Sequence, residues 1–424
     1  MKKNVVIIAG GKGTRLKKSI GEVPKSLAKI KNKTLLEYQL DELKKQGFLN
    51  IHLCLGVGHK EIIKLINKKY ANHFNISYTI EDTPIGTYGA LYNAKDFLED
   101  KIFVLFGDIV FNFNIENGFK NFKSDVLLVT RYTDHPKDSD IVVEDKNNFK
   151  EFKRHNELNY PYKPLGNTAL FFIRKKKLFE PTLKESDIFK DYLTNNLSLL
   201  NIKTVLSTNY IKDVGTTKRY KEAQKDINIK LQEKENVFFI DRDETLIKDA
   251  GKNNNWRELE FKDSALKFIS FLQKNNSILI LLTNQPGIAK GFCSNEDVER
   301  FHSHMQHLLI ENKLKPLEAI YFCPHHPDSG FKGEVKDLKI ICKCRKPKKG
   351  MIEKAIKELN IKNKNFFFIG DTSLDHKVAN KYNSKSFIVE SKFSEKEYFK
   401  KEGIVLHKNL NQVIKELNEK VFNS

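Results

Sequence analysis

Two short runs of apolar residues constrain the fold of this 424-residue chain more than any other feature. Residues 5–9 are apolar at every position and lead into Gly10, and residues 237–240 do the same before Asp241. Such runs are typical of strands that are buried on both faces, as in parallel sheets covered by helices. Each run is therefore predicted to be the first strand of its own α/β domain.

Further apolar runs predict more strands in each half, and amphipathic stretches predict helices between them. The predicted strands are residues 51–55, 102–106, 126–130, 278–282 and 366–369, and the clearest predicted helices are residues 35–46, 296–311 and 351–359. Alternating strands and helices indicate two doubly wound, Rossmann-like sheets. A polar stretch at residues 226–236 predicts a linker between domains at residues 1–225 and 237–424.

Composition argues against several classes of protein. The formal net charge is +20, but the excess consists mainly of lysines spread over the whole chain, as expected for solvated faces or for anionic small-molecule substrates. No helix-turn-helix, finger or aromatic RNA platform is recognisable, so no nucleic-acid partner is predicted. No run is long enough for a signal peptide or a membrane span, so we expect a cytoplasmic protein without a membrane partner, and leave a homo-oligomer open.

A glycine-rich loop follows the first predicted strand. Residues 10–16 read Gly-Gly-Lys-Gly-Thr-Arg-Leu, and Pro24 and Lys25 follow. Glycines let the backbone approach a phosphate and turn several N–H groups toward it, while Arg15 and Lys25 add positive charge. An ordinary glycine turn is the alternative, but the order of strand, loop and Pro-Lys favours a phosphate site.

These residues resemble the signature of the sugar-1-phosphate nucleotidylyltransferases, and the resemblance continues through residues 81–87, 107–108 and 213–216. It implies that a sugar-1-phosphate oxygen attacks the α-phosphorus of a nucleoside triphosphate and releases pyrophosphate. Catalysis then consists of positioning and charge neutralisation, with Arg15 and Lys25 taking part. The resemblance also implies a magnesium ion held by Asp108 and Asp213, and a nucleotide bound by Gly10, Gly11, Gly13, Thr14, Glu81, Gly86 and Thr87.

The base and the sugar are less directly encoded. Glu81 offers only acceptors, which suits the N–H donors of guanine better than the two carbonyls of uracil or thymine, and its loop resembles that of guanylyltransferases acting on mannose-type sugars. GTP is therefore the expected triphosphate. Asn167 is the implied sugar contact, although residues 167–169 read Asn-Thr-Ala where relatives have Asn-Ala-Gly, and residues 154–155 read Arg-His where many have Glu-Lys.

Two carboxylates stand two positions apart after the second buried run. Asp241 and Asp243 point to the same side at a strand end. One carboxylate can attack phosphorus while the other handles the proton of the leaving group. Later segments supply a hydroxyl at Thr283, a cation at Lys346 and further carboxylates at Asp371 and Asp375.

In this order the segments resemble the four motifs of haloacid-dehalogenase-type phosphatases. The resemblance implies that Asp241 is the nucleophile, that Asp243 is the general acid and then the base, and that Thr283 and Lys346 hold the phosphoryl oxygens. It further implies magnesium bound by Asp241, Asp371 and the carbonyl of Asp243, and substrate contacts by Asn284 and Arg345. Glu244 stands where close relatives usually have glycine, so a phosphatase domain without activity is an alternative.

Three cysteines cluster with a histidine in the second half. Cys323, His325, Cys342 and Cys344 supply three thiolates and an imidazole, the ligand set of a closed, structural zinc site in a reducing compartment. This pattern resembles the heptose-bisphosphate phosphatases. The long connection at residues 328–341 favours them over the histidinol-phosphate phosphatases, which share the zinc ligands.

The two resemblances together imply a bifunctional enzyme. The second half is expected to remove the C7 phosphate of D-glycero-D-manno-heptose 1,7-bisphosphate, and the first half to transfer a guanylyl group from GTP to heptose 1-phosphate, which gives GDP-heptose and pyrophosphate. The expected partners are thus GTP and heptose phosphates. The alternative is a uridylyl or thymidylyl transferase for another hexose 1-phosphate, joined to a histidinol-phosphate-type or inactive phosphatase.

Overall fold

The computed structural model describes residues 4–11, 13, 16, 20–361 and 364–423. Contacts divide the chain into two compact units. The first unit comprises Met1–Arg131, Asp140–Lys153 and Gly166–Glu233, and the second comprises Tyr132–Ser139, Arg154–Leu165 and Lys234–Ser424. No helix within the described residues combines the length and apolar character that crossing a bilayer requires.

Strands and helices alternate along most of the chain. The strands are β1 (Asn4–Ile8), β2 (Lys29–Ile30), β3 (Lys33–Thr34), β4 (Asn50–Leu55), β5 (Asn75–Ile80), β6 (Lys101–Phe106), β7 (Ile109–Phe111), β8 (Val126–Tyr132), β9 (Ile141–Asp145), β10 (Asn148–Lys153), β11 (Leu165–Arg174), β12 (Ile202–Leu206), β13 (Ile211–Asp213), β14 (Asn236–Ile240), β15 (Ile278–Asn284), β16 (Ala319–Cys323), β17 (Asn365–Gly370), β18 (Lys385–Val389) and β19 (Leu406–His407). The α-helices are α1 (Leu35–Lys45), α2 (His59–Lys69), α3 (Gly86–Asn93), α4 (Ile115–Asn121), α5 (Thr217–Lys230), α6 (Ala265–Lys274), α7 (Asn295–Glu311), α8 (Gly350–Leu359), α9 (Ser373–Asn380), α10 (Lys396–Lys401) and α11 (Leu410–Leu417).

A nine-stranded sheet of order β5-β4-β1-β6-β11-β8-β12-β10-β9 forms the centre of the first unit. Strands β5, β4, β1 and β6 are parallel. Leu40 of α1 and Ile62 of α2 pack in the same buried cluster as Val5 and Ile7 of β1. The strands predicted at residues 5–9, 51–55 and 102–106 are thus confirmed, because side chains on both of their faces are buried.

The rest of this sheet is mixed. Strand β11 is antiparallel to β6, and β9 and β10 form an antiparallel hairpin. Its two turn residues, Lys146 and Asn147, both have positive φ, as a type I′ turn requires. The expectation of a doubly wound sheet is therefore met only in part in the first unit, since an apolar run does not reveal strand direction and the hairpin strands are half exposed.

The second unit contains a six-stranded parallel sheet of order β16-β15-β14-β17-β18-β19. Numbered within the unit, this is the order 3-2-1-4-5-6 of a doubly wound sheet, as predicted. The order reverses between β14 and β17, and ligands bind beyond the carboxyl ends of strands at such a point. Asp241 and Asp371 directly follow these two strands.

Phenylalanines fill the core of the first unit around Phe172. Its ring centroid lies 4.9 Å from that of Phe103, 5.0 Å from Phe119 and 5.8 Å from Phe122. All four side chains are buried. Because such close packing leaves no room for relaxation, truncation of Phe172 would leave a cavity.

We expect Phe172→Ala to lower the free energy of unfolding of the first unit by about 3–5 kcal/mol. Chemical denaturation followed by circular dichroism measures this loss, while the fluorescence of Trp256, the only tryptophan, reports the second unit separately. Leu199→Ala is the control, because Leu199 is 60% exposed and its truncation should cost less than about 0.5 kcal/mol. An equal effect of both substitutions would contradict the assignment of the core.

Candidate active sites

The end of strand β1 is packed against a partly buried glutamate, Glu81. A Cβ atom added to Gly10 would lie 2.7 Å from Glu81 Oε1, and one added to Gly56 would lie 2.8 Å from the carbonyl oxygen of Gly10. Position 56 therefore requires glycine, because the backbone of Gly10 lies against it, whereas a side chain at position 10 would displace the end of the Glu81 side chain. Sequence reasoning selected Gly10 and Glu81 but missed Gly56, although Gly56 follows a buried strand just as Gly10 does.

One oxygen of the Glu81 carboxylate lacks a hydrogen-bond donor within the part of the chain that the structure describes. Burial raises its pKa, and Oε2 is buried without a hydrogen-bond partner among the described residues. A buried acceptor without a donor is unfavourable by about 1–3 kcal/mol. This oxygen is therefore ready to accept a hydrogen bond from a ligand.

Lys25, Asp108 and Asp213 meet beyond the carboxyl end of β6. Lys25 Nζ donates to Asp108 Oδ2, and Asp213 is held beside Asp108 because β13 pairs with β7. Gly215 leaves space for the three groups, since an added Cβ would lie 2.6 Å from Asp213 Oδ1. Burial, and then the charge of Asp213, raise the pKa of Asp108, while Lys25 opposes this shift. Arg219, which sequence reasoning missed, pairs with Asp213 from the first turn of α5.

The other residues predicted to bind the nucleotide differ in their surroundings. Gly11 faces open space, and an added Cβ at Gly13 would lie 3.2 Å from Lys25 Cβ. Thr14 and Arg15 lie outside the described residues. Gly86 packs against the backbone of Ser186, and Thr87 Oγ1 donates to Asp187 Oδ2 over 3.2 Å. These contacts give Gly86 and Thr87 a role in fixing the start of α3.

Asn167, the predicted sugar contact, stabilises an unusual backbone turn. Its Oδ1 accepts a hydrogen bond from the Ala169 N–H at 3.0 Å. Ala169 has φ of 58°, in the left-handed region that favours glycine. The glycine that relatives carry at this position is thereby explained. Residues 154–155, the other departure in the sequence, belong to a segment of the second unit.

In the second unit, one lysine joins two buried aspartates. Lys346 Nζ donates to Asp241 Oδ1 and, over 2.7 Å, to Asp375 Oδ1. The carboxylates of Asp241, Asp371 and Asp375 offer oxygens within 4.8 Å of one another, a set that can hold a metal ion. The structure thus brings the predicted metal residues Asp241 and Asp371 together, and the third carboxylate is that of Asp375. The side chain of Asp243 lies outside this set; the prediction for Asp243 concerned its carbonyl oxygen.

The charges of this cluster strongly affect one another. Burial raises the pKa of Asp241 well above its ordinary value, although Lys346 opposes the shift. Burial, followed by the charge of Asp375, raises the pKa of Asp371 to about 7. Burial alone would lower the pKa of Lys346, but Asp241 and Asp375 overcome this effect and raise it. The excess of negative charge favours a bound cation.

Asp243 is fixed by two neighbours. Arg242 donates to Asp243 Oδ1 through Nε at 3.0 Å and Nη2 at 2.9 Å, and Gln285 Nε2 donates to Oδ2 at 2.9 Å. The same Gln285 nitrogen donates to Thr283 Oγ1 at 2.8 Å, which links the predicted hydroxyl to the predicted acid. Sequence reasoning missed Gln285, although it stands two positions after Thr283.

Asn284 holds the backbone of the lysine loop. Its Oδ1 accepts from the Lys346 N–H at 2.9 Å, and its Nδ2 donates to the Lys346 carbonyl at 3.3 Å. On the opposite side, an added Cβ at Gly370 would lie 2.2 Å from Asp375 Cγ. Asn284 and Gly370 therefore place the two partners of the buried ion pair.

Cys323, His325, Cys342 and Cys344 converge as predicted. Their sulfur atoms are 3.2–3.5 Å apart, and Cys344 Sγ lies 3.2 Å from His325 Nδ1. These separations are too long for a disulfide and close to those of a tetrahedral set of metal–sulfur bonds of about 2.3 Å. The Arg345 N–H donates to Cys342 Sγ at 3.3 Å, so the cluster holds the loop that carries Arg345 and Lys346. His326 lies outside this set of four.

Comparisons with known proteins also divide the chain into two parts. A nucleotidyl transferase family model matches residues 4–140, and a polynucleotide kinase 3 phosphatase family model matches residues 236–414. D-glycero-alpha-D-manno-heptose 1-phosphate guanylyltransferase of Aneurinibacillus thermoaerophilus is 30% identical over 52% of this chain and 97% of that protein.

A second relative matches the other half. D-glycero-beta-D-manno-heptose-1,7-bisphosphate 7-phosphatase of Haemophilus influenzae is 39% identical over 34% of this chain and 74% of that protein. Among solved structures, HddC from Yersinia pseudotuberculosis complexed with GMP-PN is 24% identical, covers 53% of this chain and 99% of that chain, and has a TM-score of 0.47.

We expect the purified chain to carry one thiolate-bound metal ion, and Cys342→Ser to lose it, because three remaining ligands hold a structural ion poorly. Elemental analysis measures the stoichiometry. Cys293→Ser is the matched control, since Cys293 lies outside the four converging residues. Equal metal content in both variants would contradict the proposed ligand set.

Proposed function

Because the chain belongs to the heptose 1-phosphate guanylyltransferase family through its first half and to the heptose-1,7-bisphosphate 7-phosphatase family through its second half, we propose that it is a bifunctional enzyme of nucleotide-activated heptose biosynthesis. The second unit removes the C7 phosphate of D-glycero-D-manno-heptose 1,7-bisphosphate. The first unit then transfers a guanylyl group from GTP to heptose 1-phosphate. The observation that carries the proposal is the presence of two phosphate-handling sites, in which the product class of one is the substrate class of the other.

Phosphate removal follows from the arrangement of Asp241, Asp243 and Lys346. A carboxylate oxygen of Asp241 attacks phosphorus, and the bond from phosphorus to the C7 oxygen breaks as Asp243 gives that oxygen a proton. Asp243 then takes a proton from water, which attacks the aspartyl-phosphate and releases phosphate. Lys346 and Thr283 neutralise and orient the phosphoryl oxygens. The contacts of Arg242 and Gln285 keep Asp243 oriented for both proton transfers.

Metal ions suit both halves. The oxygen ligands of Asp241, Asp371 and Asp375 in the second unit, and of Asp108 and Asp213 in the first, fit the hard ion Mg²⁺. When bound, Mg²⁺ neutralises phosphate charge and lets anionic groups approach each other. Three thiolates and an imidazole fit Zn²⁺ in a closed structural site. The second unit is accordingly a haloacid-dehalogenase-type domain with a zinc loop.

A bisphosphate substrate is supported by a group of cations beside the metal loop. Burial lowers the pKa of Lys290, and the charges of Arg345, Lys339 and Lys252 lower it further. Asp328 opposes this shift, and Lys339 pairs with Glu334, so the repulsion among these cations is partly offset. A second phosphate that is bound by Arg345 and not cleaved agrees with the heptose bisphosphate over histidinol phosphate.

Guanylyl transfer needs no protein nucleophile. An oxygen of the sugar 1-phosphate attacks the α-phosphorus of GTP, the bond to the bridging oxygen breaks, and pyrophosphate leaves. Lys25 contributes positive charge at the phosphates, and the glycine loop admits them close to the backbone. Glu81 reads guanine through N–H donors, because its buried Oε2 has no partner among the described residues.

The anomer processed by the chain is set by the first unit. The relatives differ, since the guanylyltransferase name specifies the alpha anomer and the phosphatase name the beta anomer. Transfer occurs at the C1 phosphate itself, whereas phosphate removal occurs at C7, six carbons along the sugar. We propose that the second unit accepts the alpha anomer, so that its product suits the transferase.

We expect Asp241→Asn to abolish phosphate release from the bisphosphate and to leave pyrophosphate production from GTP and heptose 1-phosphate unchanged. Asp108→Asn should do the reverse, because each carboxylate serves its own site. The assay is a matrix of GTP, UTP, dTTP and CTP against both anomers of the mono- and bisphosphate, with histidinol phosphate as an additional phosphatase substrate. Preference for UTP or dTTP, or for histidinol phosphate, would refute the specific proposal.

We expect Glu81→Gln to lower kcat/KM for GTP by about 10- to 100-fold. This is the effect of losing a hydrogen bond to a charged acceptor, which contributes about 1.5–3 kcal/mol. The amide retains the shape of the side chain but presents a donor to guanine N–H groups. Turnover with UTP should fall much less. A uniform loss with every triphosphate would show that Glu81 acts on the loop and not on the base.

A further inference from the structure

Glu244 occupies an unfavourable backbone position in the nucleophile loop. Its φ is 55°, in the left-handed region where glycine is favoured and a side chain is strained. Close relatives usually place glycine here. A glutamate that keeps this conformation needs contacts that hold it there, and the structure shows such contacts.

The Glu244 side chain is only 16% exposed and binds two lysines. Lys262 Nζ donates to the Glu244 carbonyl oxygen at 2.7 Å and to Oε2 at 3.3 Å. Lys392 Nζ lies 3.8 Å from Oε1, and the Asp249 N–H donates to the same oxygen at 3.3 Å. The glutamate thus joins the nucleophile loop to two distant segments of the second unit.

One of these segments also holds Asp371. Ser391 Oγ donates to Asp371 Oδ2 at 2.7 Å, and Ser394 Oγ donates to the Asp371 carbonyl at 2.7 Å. Lys392 stands between the two serines and contacts both Glu244 and Asp249. The loop at residues 391–394 therefore connects Glu244 to a carboxylate of the buried cluster.

Glu244 does not itself enter that cluster. The carboxylates that converge within 4.8 Å are those of Asp241, Asp371 and Asp375. Lys262 and Lys392 offset part of the charge of Glu244, and the remainder makes a small contribution to the raised pKa of Asp371, after burial and Asp375. A glutamate in place of glycine is consequently compatible with an active site.

We propose that Glu244 is a positioning residue that fixes Asp371 through Lys392 and the loop at residues 391–394, and thereby strengthens magnesium binding in the second unit. This inference rests on the proposed phosphatase function. A glycine at this position offers no carboxylate to Lys262 and Lys392, so relatives with glycine lack these contacts.

The test compares Glu244→Gly, Glu244→Gln and Lys392→Ala in the full-length chain. Lys396→Ala is the matched control, because Lys396 is 67% exposed against 59% for Lys392 and pairs with Glu390 outside the network. Two quantities are measured against magnesium concentration. They are phosphate release from the heptose bisphosphate and the thermal midpoint of the second unit, followed by Trp256 fluorescence.

We expect Glu244→Gly and Lys392→Ala to raise the magnesium concentration needed for half of the maximal effect by about tenfold in both measurements. Glu244→Gln, whose amide oxygen still accepts from Lys262, should lie between them and the unchanged chain. The control should match the unchanged chain, and kcat at saturating magnesium should change less than the magnesium requirement.

If Glu244→Gly needs the same magnesium concentration as the unchanged chain, or a lower one, for half of the maximal effect, the inference is overturned. Relief of the positive φ would then be the only consequence of the substitution. If no variant and not even the unchanged chain releases phosphate, the proposed function fails. The thermal midpoints still rank the variants in that case, so the two failures are distinguishable.

Discussion

The second site depends on the ion pairs between the ammonium group of Lys346 and the carboxylates of Asp241 and Asp375. Parallel pairing of β14 with β17 brings Asp241 and Asp371 to one edge of the sheet, and Asp375 follows one turn later. Buried carboxylates without a counter-charge would destabilise the unit by several kcal/mol each. Lys346 removes much of this penalty, but only if its backbone is held in place, which Asn284 accomplishes with two hydrogen bonds. The cysteine cluster fixes the same loop from the other side.

The first unit solves the same electrostatic problem without a nucleophile. Asp108 and Asp213 are brought together by the pairing of β7 with β13, and Lys25 and Arg219 supply the positive charge. Here both reacting atoms belong to the substrates, so the protein contributes position and charge alone. In the reaction proposed for the second unit a carboxylate attacks phosphorus, and Asp241, the proposed nucleophile, stands at the point where the strand order reverses. Both sites combine buried carboxylates with a lysine. They differ in the molecule that provides the attacking oxygen, which is the substrate in the first unit and the protein in the second.

Sequence reasoning succeeded where a pattern of residues along the chain is typical of one kind of structure. Uninterrupted apolar runs identified the central strands, and the order of the motifs pointed to Asp241 and Lys346, whose side chains are in contact in the structure. It failed for residues whose role depends on a neighbour in space: Gln285 reaches Asp243 only because two strand ends are adjacent, and Arg219 meets Asp213 only through the start of a helix. The β9–β10 hairpin was missed for a related reason, since half-exposed strands have no continuous apolar pattern.

The order of the two reactions places opposite demands on one substrate. The second unit must cleave the phosphate at C7 and preserve the one at C1, because the preserved phosphate later supplies the attacking oxygen in the first unit. Both groups are phosphate monoesters, so discrimination has to come from position. We propose that a site with two anion-binding regions achieves this, in which Lys346 receives the phosphate that reacts and Arg345 binds the other. On this proposal the cysteine cluster, which holds the loop that carries Arg345 and Lys346, fixes the spacing between the two anion-binding regions.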